Sequence, residues 1–455
     1  MSIGTLSAAN QKGIELRTRG RLREAVAAFS EGIVAFPGSA ILYNNLAQTL
    51  DDLGLPQEAL LAYESALLRA PQFVPALTGK GNLLMRDGKL DESRAAFEVA
   101  LQIEPDSIAV NLGMYELLQI QGEPAAAVEH QKRALARQQL FSRVAPGEKR
   151  SLLVLLAPGD WQANIPIDFL FDTATTSVHK LYLLDDGRPL PALPRYDVVL
   201  NAIAESRAAV AYLTLAERLV AMQSAPSLNR SERVLAISRE RLPQTLASVD
   251  ATVPAVAEMT REDLAKRDPA LDFPCIVRPV GSHAGHGLSR IAGRDELDAY
   301  LVATRGNAFF VSPFVDYKSG DGYFRKYRFV YVDGEAFPVH EAISPDWMIH
   351  YYNAPMAQHQ WMRDEEAAFM ADPWNRFAGS AGEAVRAIAA AVGLEYFGID
   401  CAIGPDGRLL VFEADAAMLV HTSDPIDLYP YKHEFVPRIY QALEKMVDGR
   451  KRAAT

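Results

Sequence analysis

Gly398-Ile399-Asp400-Cys401-Ala402-Ile403-Gly404-Pro405-Asp406-Gly407-Arg408-Leu409-Leu410-Val411-Phe412-Glu413-Ala414-Asp415 reads as two apolar strands around the turn Gly404-Pro405-Asp406-Gly407. Proline and glycine preset the backbone angles of a tight turn. If the turn closes a hairpin, Ile403 faces Arg408 and Asp400 stands opposite Val411. Alternation then puts Asp400, Val411, Glu413 and Asp415 on one face. Three neighbouring carboxylates repel one another and lose hydration, so a divalent cation is the natural compensation. An all-oxygen donor set suits Mg²⁺ better than zinc. The competing reading is a solvated polar face, against which stand the apolar neighbours Ile399, Val411 and Phe412.

Two upstream stretches match this hairpin in chemistry. In 273–288 a strand ends at Arg278, and Gly281, Ser282, His283, Gly285, His286 and Gly287 follow in a loop. Glycines let backbone N–H groups approach phosphate oxygens, and a cation at the strand end offsets their charge. The loop matches neither a Gly-Lys-Ser/Thr phosphate loop nor the dinucleotide fingerprint, and a plain surface loop is the alternative. In Phe324-Arg325-Lys326-Tyr327-Arg328-Phe329-Val330-Tyr331-Val332, alternation places Lys326 and Arg328 on one face, an arrangement suited to a polyanion. A hairpin at Asp333-Gly334 pairs Val332 with Glu335 and so sets Lys326 opposite Glu341, where a structural ion pair is the alternative. His340 falls on the face opposite Lys326 and reads as core.

Further upstream the pattern is α/β. The apolar run 152–156 and Asp197-Val198-Val199-Leu200-Asn201 read as strands, and 206–222 as a helix, which implies a small parallel sheet. The carboxyl ends of its strands are its functional edge. Asn201 and Glu205 sit at such an end, as caps or as substrate contacts. The aromatic stretch 344–353 and His421 are candidates for a pocket wall, Trp361 and Trp374 for pocket or core. Cys275 and Cys401 lie within strands and read as inert packing.

The first third of the chain is repetitive. Pro37, Pro71 and Pro105 recur at a step of 34, as do Gly20, Gly54, Gly88 and Gly122. Phe29, Tyr63 and Phe97 keep the same step, and so do Leu16, Leu50, Leu84 and Leu118. Small residues fill two more positions, Ala25, Ala59, Ser93, Ala127 and Gly32, Ala66, Ala100, Ala134. Glycine turns the chain between two helices, small residues let them touch, the aromatic fills the gap and proline ends the second helix. The pattern resembles the tetratricopeptide family, with three clear repeats and a degenerate fourth that has Gln131 in the aromatic position. Arrays of this kind present a concave surface that binds peptide or protein segments. The alternative is a scaffold that holds two copies of the chain as a homodimer.

The downstream stretches together, over roughly 150–445, resemble the ATP-grasp ligases. The resemblance implies that Arg278, Ser282, His283, Gly285, His286 and Gly287 contact phosphate. Val311, Phe314 and Val315, in Val311-Ser312-Pro313-Phe314-Val315, resemble the connector whose backbone reads adenine. Lys326 and Arg328 are the expected catalytic cations, and Asp400, Glu413 and Asp415 the metal ligands. Asp400 and Glu413 stand thirteen apart, as in D-Ala–D-Ala ligase-like members. Three positions depart from the family pattern: Arg278 replaces a lysine, Asp415 an asparagine, and Gly398 an arginine. The implied cofactors are ATP and Mg²⁺, as one ion or two. The implied reaction joins a carboxylate to an amine through an acylphosphate. Rival readings are an ATP-grasp kinase that releases a phosphorylated product, and a non-catalytic adaptor.

The expected organisation is multidomain: an all-α repeat solenoid at 1–142, a small α/β domain at 150–227, an ATP-grasp lid at 228–312 and a C-terminal ATP-grasp subdomain with the metal site at 313–447. Composition agrees with a folded protein of this kind. Of 455 residues, 49% are hydrophobic and 23% charged. The net charge of −11 argues against nucleic acid or an anionic membrane as main partner. Two distant cysteines suit a reducing compartment. The start, Met1-Ser2-Ile3-Gly4-Thr5-Leu6, has no basic region before an apolar stretch, so a cytoplasmic location is expected.

Overall fold

The computed structural model describes residues 5–266, 271–282, 285–350 and 353–454. The chain divides into two compact units, Met1–Gln139 with Pro158–Trp161, and Leu140–Ala157 with Gln162–Thr455.

The first unit contains four antiparallel helix pairs: α1 (Leu6–Thr18) with α2 (Leu22–Ala35), α3 (Ala40–Asp52) with α4 (Pro56–Arg69), α5 (Val74–Arg86) with α6 (Leu90–Ile103), and α7 (Ile108–Ile120) with α8 (Pro124–Arg137). Gly20, Gly54, Gly88 and Gly122 turn each pair at φ between +73° and +76°, a conformation that costs a side chain but not glycine. Phe29, Tyr63 and Phe97 are buried between the helices. Each such side chain contributes roughly 1.5–3 kcal/mol by leaving water. The helices approach closely because the facing residue is small: a Cβ on Gly13 would lie 2.3 Å from the Phe29 ring. The fourth pair keeps the geometry without an aromatic. Gln131 is buried in its place, its side-chain oxygen accepting from the Gly159 N–H at 2.8 Å, while the Tyr115 hydroxyl donates to the Gly159 carbonyl.

The second unit is built on three sheets. The first consists of β1 (Leu140–Arg143), β2 (Arg150–Leu156), β3 (Thr176–Tyr182), β4 (Val198–Asn201) and β5 (Ser227–Leu228), in the order β1-β3-β2-β4-β5. All its pairings are parallel except β1 with β3. Every residue of β2 and β4 is buried, as expected of a parallel sheet covered on both faces. Helix α9 (Val210–Ala221) follows β4, and the short α10 (Ser231–Ala236) and α11 (Leu242–Thr245) follow β5.

Strand β6 (Ala251–Thr252) leaves for the third sheet. The second sheet then forms from β7 (Ala257–Thr260), β8 (Cys275–Pro279), β9 (Ser289–Ile291) and β10 (Ala308–Pro313), antiparallel in the order β7-β10-β8-β9. Helices α12 (Arg261–Ala265) and α13 (Arg294–Ala303) cover it, burying Leu264, Val277, Leu297 and Phe309. The third sheet has the order β12-β11-β13-β14-β6, from β11 (Phe324–Val332), β12 (Glu335–Ser344), β13 (Tyr396–Ile403) and β14 (Leu409–Asp415). Helices α14 (Gln360–Ala371), α15 (Pro373–Arg376) and α16 (Ser380–Val392) lie between β12 and β13 in the chain, and α17 (Pro430–Ala454) ends it. One face of this sheet packs Tyr327, Phe329, Tyr331 and Phe397 against Phe369 and Phe377.

Two registers differ from the expectation, each through a β-bulge. Val332 pairs with Glu335, and Asp333 and Gly334 make the two-residue turn at positive φ. A shift after Arg328 then sets Lys326 opposite Ala342, not Glu341, and Arg328 opposite His340. In the hairpin of β13 and β14, Ile403 pairs with Leu409 rather than Arg408, and a shift at Asp400 leaves Phe412 as the extra residue. Val411 therefore pairs with Cys401 and is buried in the core, and Asp400 stands opposite Glu413. One inserted residue moves every later side chain to the other face. Among the described residues no helix is long and apolar enough to cross a membrane.

Candidate active site

The register of three adjoining strands places Arg328 of β11, Asp400 of β13 and Glu413 of β14 in one row. Lys326, two residues before Arg328, shares their face. Asp400 is 2% exposed and has both oxygens engaged. Arg328 donates from Nε to Oδ1 at 2.7 Å and from Nη2 to Oδ2 at 3.0 Å, and Lys326 donates from Nζ to Oδ2 at 2.9 Å. Burial works against the charge of Asp400, yet Arg328 and then Lys326 hold it well below the usual carboxylate range. The ion pair of Lys326 is thus made across to β13, and the pairing with Glu341 expected from the sequence does not form.

Glu413 has a partner that its own neighbourhood in the sequence does not supply. Arg239, in the segment between α10 and α11, donates to the Glu413 carboxylate and holds it below its ordinary value. Two residues further along β14, Asp415 accepts from the Ala417 N–H at 2.7 Å, and burial pushes its carboxyl up to about 6. Glu205, just past the end of β4, lies in the field of Arg239 and Asp415. Burial, with Glu240 adding to it, takes Glu205 up to about 7. Asn201 turns inward instead, donating to the Asn229 carbonyl at 3.0 Å as a structural cap.

Arg278 stands near the end of β8 and holds the following turn: Nε donates to the Ser282 hydroxyl at 3.2 Å, and Nη2 to the Ser282 carbonyl. Burial and then the charge of Arg239 bring its guanidinium down to about 10. Gly281, Gly285 and Gly287 take positive φ, and Tyr300 donates to the Gly287 carbonyl at 2.7 Å. His286 is exposed. His283 and Ala284 lie outside the described residues.

The stretch expected to read adenine divides in two. Val311 is a strand residue, paired with both Val277 and Ala257, and its side chain fills the core of the second sheet. Its backbone takes part in the sheet. Phe314 lies beyond β10, with its N–H donating to the Pro274 carbonyl at 3.0 Å. Its ring meets Trp347 edge-on at 5.6 Å with the Arg290 guanidinium 4.6 Å above it. Val315, like Phe412, packs against the cluster of Tyr317, Phe324, Ile349 and Leu410.

Of the remaining candidates, His340 shares the face of Arg328 rather than the opposite one, with Nδ1 on the Glu366 carboxylate. Tyr431 also donates to Glu366, at 2.6 Å, and Lys432 lies 3.3 Å from it. Trp361 packs edge-on against Tyr323, and Trp374 lies under the Arg386 guanidinium. His350, in the aromatic stretch, is lowered by burial and then by the charges of Lys326 and Arg328. His421 accepts from the Ser423 N–H through Nδ1 at 3.2 Å. Both cysteines are buried.

The three carboxylates expected to bind Mg²⁺ do share a face. In this arrangement, however, Asp400 and Glu413 are neutralised from within, and among the described residues no set of three His, Cys, Asp or Glu side chains is placed to hold a metal ion. Asp400 has spent both oxygens on Arg328 and Lys326, and Glu413 is engaged by Arg239. The donors therefore do not fit a resident metal as they stand.

Residues 10–75 and 44–108 match the tetratricopeptide repeat family. A tetratricopeptide repeat protein from Parabacteroides merdae is 20% identical over 29% of this chain and 52% of its own, with a TM-score of 0.27. PilF of Pseudomonas aeruginosa is 21% identical over 29% of this chain and 61% of its own, with a TM-score of 0.28. The chain thus spans about half to three-fifths of the length of these two structures. VanG D-Ala:D-Ser ligase from Enterococcus faecalis is similar over 66% of this chain and 99% of its own, at 11% identity and a TM-score of 0.41. No curated protein matches the sequence. The N-terminal region of this chain carries tetratricopeptide repeats.

Proposed function

We propose that the second unit is an ATP-dependent carboxylate–amine ligase working through an acylphosphate, and that the repeats recruit a peptide or protein that is the substrate or carries it. The observation that supports this reading most is the convergence of three cations, Arg239, Lys326 and Arg328, on one acidic face, with Arg278 holding a glycine-rich turn within the electrostatic reach of Arg239. Paired guanidiniums in a desolvated cleft suit phosphate oxygens. In this reading Arg239 and Arg278, with Ser282 and the glycine turn, hold the phosphates, and Phe314 and Val315 border the base.

The chemistry then needs two displacements. A substrate carboxylate oxygen attacks the γ-phosphorus, and the bond to the β-bridging oxygen breaks to give ADP. An amine nitrogen next attacks the acylphosphate carbonyl carbon, and inorganic phosphate leaves as the amide forms and the nitrogen loses its proton. Lys326 and Arg328 are suited to the charge that builds on the oxygen in each step, because fixed cations need no reorganisation. Asp400 keeps both in place. The resemblance implies Mg²⁺ for such chemistry, but these steps are assigned to this chain's own groups alone.

The test is nucleotide turnover by the full chain with ATP, MgCl₂, pooled amino acids and a cell extract, with Glu413→Ala as control. ADP release that depends on an added amine and is lost in the control supports the ligase. A phosphorylated compound seen by mass spectrometry, with no amine dependence, replaces it with a kinase. No nucleotide binding by calorimetry leaves the adaptor.

A further inference from the structure

Among the described residues no metal-holding set is present, and the cationic groups around the acidic face carry an inference about how the site is filled. Asp400 is closed by two cations from β11, and Arg328 engages both its oxygens. Glu413 and Asp415, two residues apart on β14, are compensated differently. Arg239 binds Glu413 directly, while Asp415 has the Ala417 N–H. Among the described residues, Arg239 is the cation in direct contact with this pair of carboxylates.

Arg239 has a competing attraction. It disfavours the charge of Arg278, and Glu413, its own ion partner, acts on Arg278 only as a more distant charge. Like charges in a partly desolvated place favour an anion that bridges them. If an anion takes Arg239, Glu413 and Asp415 are left as adjacent carboxylates without a direct cation, which is the condition for binding a divalent one.

We propose that Arg239, Lys326 and Arg328 close the acidic face to divalent cations in the free protein, and that the phosphates of a bound nucleotide open it by drawing Arg239 away from Glu413. The device is an internal arginine that holds the place of the metal until the phosphates arrive. Its nucleotide half rests on the ATP reading above; the lock itself does not.

The experiment is Mn²⁺ binding to the full chain, read from the free-ion electron paramagnetic resonance signal. Wild-type protein alone is expected to take up little Mn²⁺. Arg239→Gln alone is expected to bind it at least about tenfold more tightly, since removing one nearby cation is worth more than about 1.4 kcal/mol at these distances. The gain disappears in Arg239→Gln with Glu413→Gln. Wild-type protein alone binding Mn²⁺ as tightly as Arg239→Gln overturns the lock.

Calorimetry with ADP in EDTA gives a second measurement that does not depend on Arg239→Gln folding. Glu413→Gln frees Arg239, so this variant binds ADP severalfold more tightly than wild type. Equal or weaker binding overturns the proposed transfer of Arg239 to phosphate. Absence of nucleotide binding in every variant, with or without Mn²⁺, removes the ATP reading and the opening step together, while the Mn²⁺ comparison still decides the lock.

Discussion

Arg328 and Asp400 face each other across β11 and β13 in a two-point ion pair, Nε to Oδ1 at 2.7 Å and Nη2 to Oδ2 at 3.0 Å. The pair is buried on the Asp400 side, where the carboxylate is 2% exposed. Fork-to-fork geometry fixes the arginine's direction as well as its charge, so the same contact that stabilises the sheet also aims the catalytic candidate.

Removing one member of such a pair leaves the other charged and desolvated. Arg328→Met is expected to cost about 3–5 kcal/mol in urea unfolding, and Arg328→Met with Asp400→Leu appreciably less than the sum of the single changes. A double-mutant cycle that shows simple additivity would mean that the two side chains act independently.

The parts of this architecture that were readable in the sequence are those with a local cause. The repeats declare themselves because each turn needs a positive φ that glycine alone takes freely, so Gly20, Gly54, Gly88 and Gly122 keep their step. The Asp333-Gly334 turn is legible for the same reason. The bulges are not, since neither Phe412 nor Val339, the extra residue of β12 opposite the step from Arg328 to Phe329, has a side chain that marks an extra place in a strand. The carboxylates still share a face, by a register different from the expected one. Arg239 could not be found from spacing, because its link to Glu413 spans 174 residues and arises from tertiary packing of an unpatterned segment. The strand β3 was similarly obscure, its alternation being broken by His179 and Lys180.

Glu341 is fully buried on the core face of β12, with Arg325 Nε 3.9 Å away. Burial, then Glu365, pushes its carboxyl from 4.5 up to about 8. The folded protein therefore binds this proton more tightly than the unfolded chain, and stability falls as pH rises from about 4.5 through about 8. Glu341→Gln removes that slope. The variant should melt increasingly above wild type between pH 5 and pH 8, by on the order of a few kcal/mol at the upper end. Parallel melting curves for the two proteins across this range would show that Glu341 is not the group responsible.

In the repeats, two glycines should fail for different reasons. A Cβ on Gly81 would sit 2.6 Å from the Phe97 ring, whereas Gly88 has open space around it but φ of +76°. Gly81→Ala is an overpacking change of about 1–3 kcal/mol. Gly88→Ala is a backbone change of roughly 1–2 kcal/mol. Trimming the ring should separate them: in a Phe97→Leu background the added cost of Gly81→Ala shrinks, while that of Gly88→Ala stays as it was. Thermal melts of the three single and two double variants measure this directly, and a Gly81→Ala cost unaffected by Phe97→Leu would rule out steric contact as its cause.

Arg278 offers the sharpest test of the phosphate side. Its guanidinium holds the Ser282 hydroxyl and carbonyl, so it shapes the turn at the same time as it presents charge. Burial and Arg239 both disfavour that charge, which brings it down to about 10 but leaves it cationic at neutral pH. A bound polyanion relieves both penalties. Arg278→Ala should therefore weaken ATP binding by about 10–100-fold, the loss of one charge-assisted contact. Arg278→Lys separates the two roles, since an ammonium restores the point charge but not the two-point hold on Ser282. It should recover part of the affinity while leaving the turn more open to backbone hydrogen exchange at Ser282. If Arg278→Ala binds ATP as wild type does, Arg278 serves only the turn, and the phosphates must be placed elsewhere on the cationic face.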